Sequence, residues 1–533
     1  MSDAEIIGDL EIIDELEVVQ PPAIAEPLAA QPAGAPLERD ITKLASGASI
    51  TLAGRIVGSG SLILTQVMLA RLFGPAIYGL YAIGWTLLRM GEVAGTLGLE
   101  YGVVRFASRF WPSDPVRLKG VLLEALAGAF SSGALLGLLL FFLAPWLADQ
   151  VFQNPDLTPI LQLFAVAFPF VTSLKVSAAS TRVSQRMRFA VYSEDAGRPA
   201  LNLLLVVVFY VLGRNIIGAV AATVLSYVLA LLLSLNFVHR LFPQTFAARP
   251  KPVYPGKELW AFSLPSAFAA IFGMFMIWMD RLFVGYFGSE TEVGIYQAVA
   301  QFSAVFSLTL TAVNAIFAPM IASLYHQGQL ARLNELFKIS TKWVLYLSLP
   351  IFLVLVFTPV AAITVIFGSQ YVSGSQALVL LTIAQLVNVG TGSVGYLLVM
   401  TGRQNIWVAI TASMLVTSLI LNTVLVPRLG INGAALSSTI AISGLFLLGL
   451  LAVKQKLSLW PYDRRYRKGL LATAVTIAAL VFLQQLPLAS AFVQLLATSL
   501  VSVGVFGSTL ILQGLDQEDK EFMRLLRRRL HLS

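Results

Sequence analysis

The chain alternates between long apolar segments and short polar ones along most of its length. A helix needs about 20 mostly apolar residues to cross the ~30 Å hydrocarbon layer of a membrane. Fourteen segments approach or exceed that length: residues 44–70, 77–104, 118–147, 158–181, 196–213, 217–238, 258–286, 293–324, 339–366, 374–400, 404–427, 431–453, 469–485 and 489–513. The pattern therefore predicts an all-α integral membrane protein with about fourteen transmembrane helices.

The composition points to the same class. Of the 533 residues, 57% are hydrophobic and only 12% are charged, whereas soluble domains carry about 25% charged residues. The chain has no cysteine, which excludes disulfides and thiolate metal sites. Because its three histidines are also widely spaced, neither a metal site nor a cofactor is predicted.

The basic residues concentrate on one predicted side of the membrane. If the segments cross in turn, 28 Lys and Arg fall on one side and three on the other, namely Arg71, Arg214 and Arg428. Cytoplasmic loops are enriched in Lys and Arg, so both termini are predicted to be cytoplasmic. This topology accounts for the net charge of +8, and no nucleic-acid partner is predicted.

The two ends of the chain differ from the rest. Residues 1–40 hold ten acidic residues, five prolines and one arginine, without a long apolar run, which argues against a signal peptide. This composition predicts a disordered acidic cytoplasmic tail, with a short docking helix at residues 6–19 as the alternative. Residues 514–533 are predicted to form a basic cytoplasmic tail.

Two groups of residues recur at nearly one spacing. Phe73-Gly74 and Tyr78-Gly79-Leu80-Tyr81 return as Phe287-Gly288 and Val293-Gly294-Ile295-Tyr296, and Gly218-Ala219 with Thr223 returns as Gly433-Ala434 with Ser438. The shift is 214 or 215 residues, which indicates an internal duplication.

The duplication predicts how the chain is divided. We expect a first six-helix bundle at residues 41–238, a cytoplasmic linker at 239–257, a second six-helix bundle at 258–453 and a two-helix extension at 454–513. Both bundles begin on the cytoplasmic side, so they repeat in parallel. Transporters built from such repeats bind substrate between the halves, near the bilayer midplane.

Three motifs carry a resemblance to a known family: Leu69-Ala70-Arg71-Leu72-Phe73-Gly74-Pro75 with Tyr78-Gly79-Leu80-Tyr81, Asp280-Arg281-Leu282-Phe283-Val284-Gly285-Tyr286-Phe287-Gly288, and Leu429-Gly430-Ile431-Asn432-Gly433-Ala434-Ala435. Through them residues 41–515 resemble the bacterial oligosaccharide flippases. These form the polysaccharide-transporter branch of the multidrug/oligosaccharidyl-lipid/polysaccharide exporter superfamily.

The resemblance implies a V-shaped cavity between the two bundles and a place in the bacterial inner membrane. It also implies that a lipid-linked oligosaccharide on polyprenyl pyrophosphate is moved from the cytoplasmic to the outer leaflet by alternating access. Such export serves cell-surface polysaccharide synthesis. Membrane lipids are expected partners, while H+ or Na+ as coupling ion and an association with a polysaccharide polymerase or glycosyltransferases are left open.

Charged residues inside the predicted spans are candidates for the site, because such residues are costly in lipid and usually face a bundle interior. Arg55 and Arg89 lie near the middle of the first two spans, and Lys175 lies in the fourth. Arginine can donate two parallel hydrogen bonds to phosphate oxygens. We therefore predict that Arg55, Arg89 and Lys175 contact the pyrophosphate.

Other charged residues are assigned supporting roles. Glu92 follows Arg89 by three residues on one helix face, and a structural ion pair between them, with or without Arg55, is the alternative to substrate binding. Asp280 and Arg281 resemble the family's seventh-helix motif and are predicted to act in gating or structure. Arg198 follows Glu194 by four residues at the start of the fifth span, and this spacing predicts a helix-capping ion pair.

Other functions are weighed against this one. A multidrug or cation exporter of the same superfamily would be expected to carry acidic cavity groups, and a lipid II flippase would share the basic ones. A membrane glycosyltransferase or polymerase is disfavoured because the predicted outer loops are short. The absence of a phosphate-binding glycine loop argues against direct use of ATP. The sequence thus predicts a transporter rather than an enzyme.

Overall fold

A computed structural model describes residues 37–184, 186–213, 215–247, 251–487, 490–514, 516 and 518–520. Of the predicted acidic tail at residues 1–40 only residues 37–40 are described, and of the predicted basic tail at residues 514–533 only residues 514, 516 and 518–520. The described residues form helices joined by turns and short loops, without a strand among them. The predicted all-α class is confirmed for this part of the chain.

The first bundle and the linker contain eight helices in the described ranges. They are α1 (Leu37–Thr96), α2 (Leu99–Phe110), α3 (Pro115–Trp146), α4 (Leu157–Arg182), α5 (Arg188–Ala190), α6 (Gly197–Val211), α7 (Ile216–Leu241) and α8 (Pro243–Ala247). The backbone of Gly74 (φ 73°, ψ 171°) is not helical, so α1 consists of two helical parts.

The second bundle contains α9 to α18, and the C-terminal extension contains two helices. They are α9 (Lys257–Trp278), α10 (Asp280–Phe287), α11 (Glu290–Ser303), α12 (Ser307–His326), α13 (Leu330–Phe357), α14 (Pro359–Ile366), α15 (Ser375–Thr391), α16 (Val394–Met400), α17 (Gln404–Leu429), α18 (Ile431–Leu457), α19 (Tyr466–Leu483) and α20 (Ala491–Leu512). Both helices of the extension contact α13 of the second bundle.

Among the described residues, each of the fourteen segments that hydropathy predicts as spans is mostly helical. Twelve helical segments of the described chain are long and apolar enough to cross a membrane. One of them, Ala53–Phe110, passes through the break at Gly74 and corresponds to the first two predicted spans. The helix α6 has only fifteen residues and is not among the twelve. The number of helices that cross the membrane therefore stays a prediction.

The two bundles contain the same hydrogen bond at repeat-equivalent positions. In the first bundle the hydroxyls of Tyr81 and Thr223 lie 3.1 Å apart. In the second bundle the hydroxyls of Tyr296 and Ser438 lie 3.4 Å apart. Both pairs are separated by 142 residues. The repeated contact supports the duplication inferred from the sequence.

The bundles touch where the repeated motifs meet. A Cβ atom added to Gly79 would overlap the carbonyl oxygen of Glu290, and one added to Gly294 would overlap the carbonyl oxygen of Pro75. The two helices therefore approach each other backbone to backbone, as small residues allow in membrane proteins. Tyr296, two residues further along α11, is fully buried in an apolar core that both bundles share.

Hydrogen bonds reinforce this contact between the bundles. The Tyr371 hydroxyl donates to the carbonyl oxygen of Ala70 at 2.7 Å, and Nε of Arg71 donates to the carbonyl oxygen of Ile366 at 2.7 Å. Arg71 lies in α1, three residues before the break at Gly74, at the end that the charge pattern predicts to face outward. The bundles are therefore joined at their predicted outer ends.

The last described residues are held against α13 by ion pairs. Lys342 of α13 is 1% exposed, and its Nζ lies 3.1 Å from carboxylate oxygens of both Asp516 and Asp519. The Glu518 carboxylate is 4.0 Å from the same Nζ. Lys468 of α19 contacts Asp516 at 2.7 Å. We call these five residues the C-terminal clamp.

Candidate functional site

A cluster of charged side chains lies inside the first bundle. Arg89 and Glu92 of α1 form an ion pair across one helical turn. Nζ of Lys175, on α4, lies 2.7 Å from Oε1 of Glu194 and 3.8 Å from Oε1 of Glu92. Arg182, at the end of α4, contacts the other oxygen of Glu194 at 3.0 Å. We call these five residues the charged cluster.

The acids of the charged cluster are each shared between two cations. The Glu92 side chain is 7% exposed and the Glu194 side chain is 14% exposed. Charges removed from water in this way need partners with good geometry, because their desolvation is costly. The predicted ion pair between Arg89 and Glu92 is therefore present, and Lys175 extends it into a network. This network holds together α1, α4 and the turn before α6.

A cavity of about 200 Å³ opens beside the charged cluster. It is lined by Gly58, Ser59, Leu62, Arg89, Glu92, Val171, Leu174, Lys175, Glu194, Asp195, Arg198, Pro199 and Tyr227, all of them in the first bundle. Pockets for drug-sized ligands usually measure about 300–1,000 Å³. The cavity is thus suited to a small charged group and too small for an oligosaccharide.

Close helix packing forms one wall of the cavity. The turn Val191–Asp195, which precedes α6, is wound as a π-helix. A Cβ atom on Gly58 would overlap the carbonyl oxygen of Asp195, and one on Gly54 would overlap the Val191 side chain. These two glycines, four residues apart on α1, let α1 lie directly on the turn and so bring Glu194 and Asp195 to the cavity.

Two of the three predicted pyrophosphate contacts, Arg89 and Lys175, line this cavity. Arg55 does not. Its side chain is exposed, and it forms no ion pair with a described residue, although its charge acts on the nearby Asp195 carboxylate. The role of Arg55 as a substrate contact stays a prediction.

Asp280 and Arg281 lie in a separate polar network of the second bundle. Asp280 is 2% exposed, and its Oδ2 accepts hydrogen bonds from the hydroxyls of Tyr296, at 2.7 Å, and Ser438. Nε of Arg281 donates to Oε1 of Gln297 at 2.7 Å. Neither Asp280 nor Arg281 lines the cavity of the first bundle. Their predicted gating role stays a prediction.

The predicted ion pair between Glu194 and Arg198 is wrong. Glu194 is occupied by Lys175 and Arg182. Arg198 instead lies over the Tyr227 ring, with its guanidinium carbon 4.7 Å from the ring centre. The four-residue rule assumes a regular α-helix, whereas Glu194 belongs to the π-helical turn. Arg198 and Tyr227 are therefore site residues that sequence reasoning missed.

The sequence profile of a family described as polysaccharide biosynthesis protein matches residues 68–376, more than half of the chain. The chain belongs to this family. The membership predicted from the three motifs is thereby confirmed, and the matched range includes the whole charged cluster together with Asp280 and Arg281.

Curated relatives of this family member match it in part. The probable low-salt glycan biosynthesis flippase Agl15 of Haloferax volcanii is 24% identical over 188 residues, 35% of this chain and 40% of that protein. The capsular polysaccharide biosynthesis protein CapF of Staphylococcus aureus is 22% identical over 185 residues, 35% of this chain and 47% of that protein. The matched regions thus span less than half the length of either relative.

Solved structures are similar over most of the chain. The lipid II flippase MurJ, in an inward closed conformation, superposes with a TM-score of 0.67 at 15% identity and covers 87% of this chain and 97% of MurJ. An inward-facing multidrug transporter of the MATE family superposes with a TM-score of 0.63 at 17% identity and covers 77% of this chain and 98% of that protein. At such identities the likeness shows the fold alone, which the chain shares with these two proteins.

Proposed function

We propose that this family member flips a lipid-linked oligosaccharide, a glycan on polyprenyl pyrophosphate, from the cytoplasmic to the outer leaflet of the bacterial inner membrane. Family membership and the transporter fold support a membrane flippase or exporter rather than an enzyme. The charged cluster beside a small cavity in the first bundle is the observation that supports a pyrophosphate-bearing substrate. Both termini are proposed to be cytoplasmic, on the basis of the loop charges.

The pyrophosphate enters the cavity and accepts hydrogen bonds from Arg89 and Lys175. Both cations are already held by Glu92, and Lys175 also by Glu194, so their desolvation is compensated before the substrate arrives. Such preorganisation reduces the cost of binding. The glycan and the polyprenyl chain remain outside the cavity, which is too small for them, and the chain stays in lipid.

Alternating access requires the joined outer ends of the bundles to separate. Gly79 and Gly294 meet there without side chains, so opening separates two closely packed backbones and breaks the hydrogen bonds of Tyr371 and Arg71. Asp280 and Arg281 support the second bundle during this movement. H+ or Na+ is the proposed coupling ion, and a polysaccharide polymerase or glycosyltransferases are proposed partners.

The experiment measures flipping in proteoliposomes that contain a fluorescent lipid-linked oligosaccharide, scored by the accessibility of the label to a membrane-impermeant quencher. Loss of one charge-assisted hydrogen bond costs about 1.5–3 kcal/mol, or about ten- to a hundredfold in affinity. We expect Arg89→Ala and Lys175→Ala to lose flipping by about that factor at low substrate concentration. The control is Arg240→Ala, which removes an exposed positive charge outside the cavity.

Arg55 is tested in the same assay. Its exposed side chain is available to the part of the headgroup that does not enter the cavity, so Arg55→Ala is expected to abolish flipping while Arg55→Lys partly restores it. Wild-type flipping by Arg55→Ala would remove Arg55 from the site. It would leave the roles of Arg89 and Lys175 untouched.

Asp195 separates this proposal from a cation exporter. It lines the same cavity and has no ion pair within 4 Å among the described residues. Neutralising it in Asp195→Asn removes a repulsion and should raise the affinity for an anionic headgroup. A cation exporter would instead lose its substrate. Export of cationic drugs that depends on Asp195, without flipping of the glycan lipid, would overturn the proposal, and flipping of lipid II alone would redirect it to that substrate.

A further inference from the structure

Arg198 is the one basic residue lining the cavity that has no acidic partner among the described residues. It opens α6 and is 7% exposed. Glu92 and Glu194 are held by other cations, and Asp195 lies beyond ion-pair distance of Arg198. Its buried Nη1 donates no hydrogen bond. Arginine cannot lose its proton in proteins, so Arg198 fixes a positive charge without an acidic partner in the wall of the cavity.

Two aromatic rings hold this guanidinium in place. Its central carbon lies 4.7 Å from the ring centre of Tyr227 on α7 and 5.8 Å from that of Trp85 on α1. Rings in these positions attract a cation and orient the planar fork of donors. The two rings do not accept the hydrogen bonds that the N–H groups of Arg198 direct in the plane of the guanidinium. The buried Tyr227 hydroxyl also makes no hydrogen bond of good geometry, although it lies close to the Arg89 guanidinium.

Two unsatisfied polar groups at one cavity need an explanation, since buried polar groups are nearly always hydrogen-bonded. A ligand with several acceptor oxygens and negative charge would satisfy both, and a guanidinium matches a phosphate through two parallel hydrogen bonds. Ala196, which precedes α6, supplies no side-chain cap to the helix, and the positive end of the helix dipole also favours an anion there.

We propose that Arg198 is the principal phosphate contact of the cavity and that the Tyr227 hydroxyl donates to the same headgroup. Arg89 and Lys175, whose charges are shared with Glu92 and Glu194, supply the additional hydrogen bonds to this headgroup. The ligand class is a diphosphate ester of a prenyl chain. The choice of ester rests on the proposed function, whereas the anion site itself rests on the unpaired groups alone.

The first test measures binding to the purified full-length protein in detergent, with farnesyl diphosphate as probe and farnesol as the uncharged comparison. Arg198→Ala should weaken farnesyl diphosphate binding by about tenfold or more without changing farnesol binding. Arg198→Lys keeps the charge but not the fork and should recover only part of the affinity. Tyr227→Phe keeps the ring under Arg198 and should lose a few-fold.

The second test uses stability, because a structural role makes the opposite prediction. An unpaired buried charge destabilises the empty protein, so Arg198→Met should raise the melting temperature without ligand and abolish the rise that farnesyl diphosphate produces in the wild type. If Arg198 were a structural residue, Arg198→Met would instead melt earlier. Arg240→Ala is the control and should change neither temperature.

The outcomes distinguish this inference from the proposed function. Equal binding of farnesyl diphosphate by Arg198→Ala and wild type, with a loss in Arg89→Ala, would overturn the role of Arg198 and leave the flippase proposal standing. If Arg198→Ala loses diphosphate binding and the wild-type protein flips no glycan lipid, the anion site is supported and the flippase proposal is overturned. A failure of the wild type to bind farnesyl diphosphate would overturn the ligand class.

Discussion

The C-terminal clamp offers the sharpest stability test, because its central cation is almost completely buried. The perturbation is Lys342→Ala. The Lys342 ammonium lies 3.1 Å from carboxylate oxygens of both Asp516 and Asp519. Its removal leaves these acids without their shared cation and opens a space in α13. The last described residues should then detach more readily from the second bundle.

The magnitude follows from what remains after the substitution. Removing one partner of a buried ion pair typically costs about 3–5 kcal/mol. Here each acid keeps another contact: Asp516 with Lys468 at 2.7 Å, Asp519 with the Trp343 indole nitrogen at 2.8 Å, and Glu518 with Arg465 at 3.0 Å. We therefore expect a loss at the low end of that range, about 3 kcal/mol.

The assay is equilibrium unfolding in mixed micelles. The matched control is Lys456→Ala, which removes an exposed lysine and should change the free energy of unfolding by no more than about 0.5 kcal/mol. A double-mutant cycle between Lys342→Ala and Asp516→Asn should give a coupling energy above that level. If Lys342→Ala unfolds like the control, the clamp carries no stability and the reasoning is refuted.

Two further predictions concern acidity and the contact between the bundles. Burial raises the pKa of Asp516, but hydrogen bonds from Lys468 and Lys342 lower it by more, so the net pKa lies below the ordinary aspartate value. The stabilising effect of the Asp516 carboxylate is therefore complete above the ordinary aspartate pKa and is lost as the pH falls through the lowered pKa. The destabilisation by Asp516→Asn should thus shrink on acidification, and a difference in melting temperature that does not change with pH would contradict this. Gly79→Ala should wedge the predicted outer ends apart, because its Cβ meets backbone. The measurement is the distance between spin labels on cysteines introduced at the exposed positions Ile77 and Tyr286, and an unchanged distance distribution would show that the helices absorb the methyl group elsewhere.

Helix positions were predictable because lipid imposes a single requirement, an apolar stretch about 20 residues long. The pairing of Arg89 with Glu92 was predictable for a related reason, since helical periodicity alone brings residues three apart together. The contact between Lys175 and Glu194 joins two elements. No spacing in the sequence reports which faces of separate helices meet.

The orientation of the helices explains why the surroundings of Arg55 and Arg198 differ from those predicted from the sequence. Gly54 and Gly58 mark the face of α1 that packs on the turn before α6, and Arg55, next to that face, is exposed. A pair of small residues four apart is a signal that could have indicated this face. The position of Arg198 was not predicted because a π-helical turn changes which residues share a helix face, and the sequence does not mark such turns.

The contact between Gly79 and Gly294 has a consequence for how the chain can evolve. These residues are copies of one position, and they face each other across the approximate axis that relates the bundles. In a dimer of identical chains, that position would meet itself, so any substitution would enter both sides of the contact at once. Fusion into one chain removes this constraint, since either glycine can be replaced while its counterpart is kept. One side can thus acquire a side chain that tunes how readily the outer ends part, without doubling the steric change.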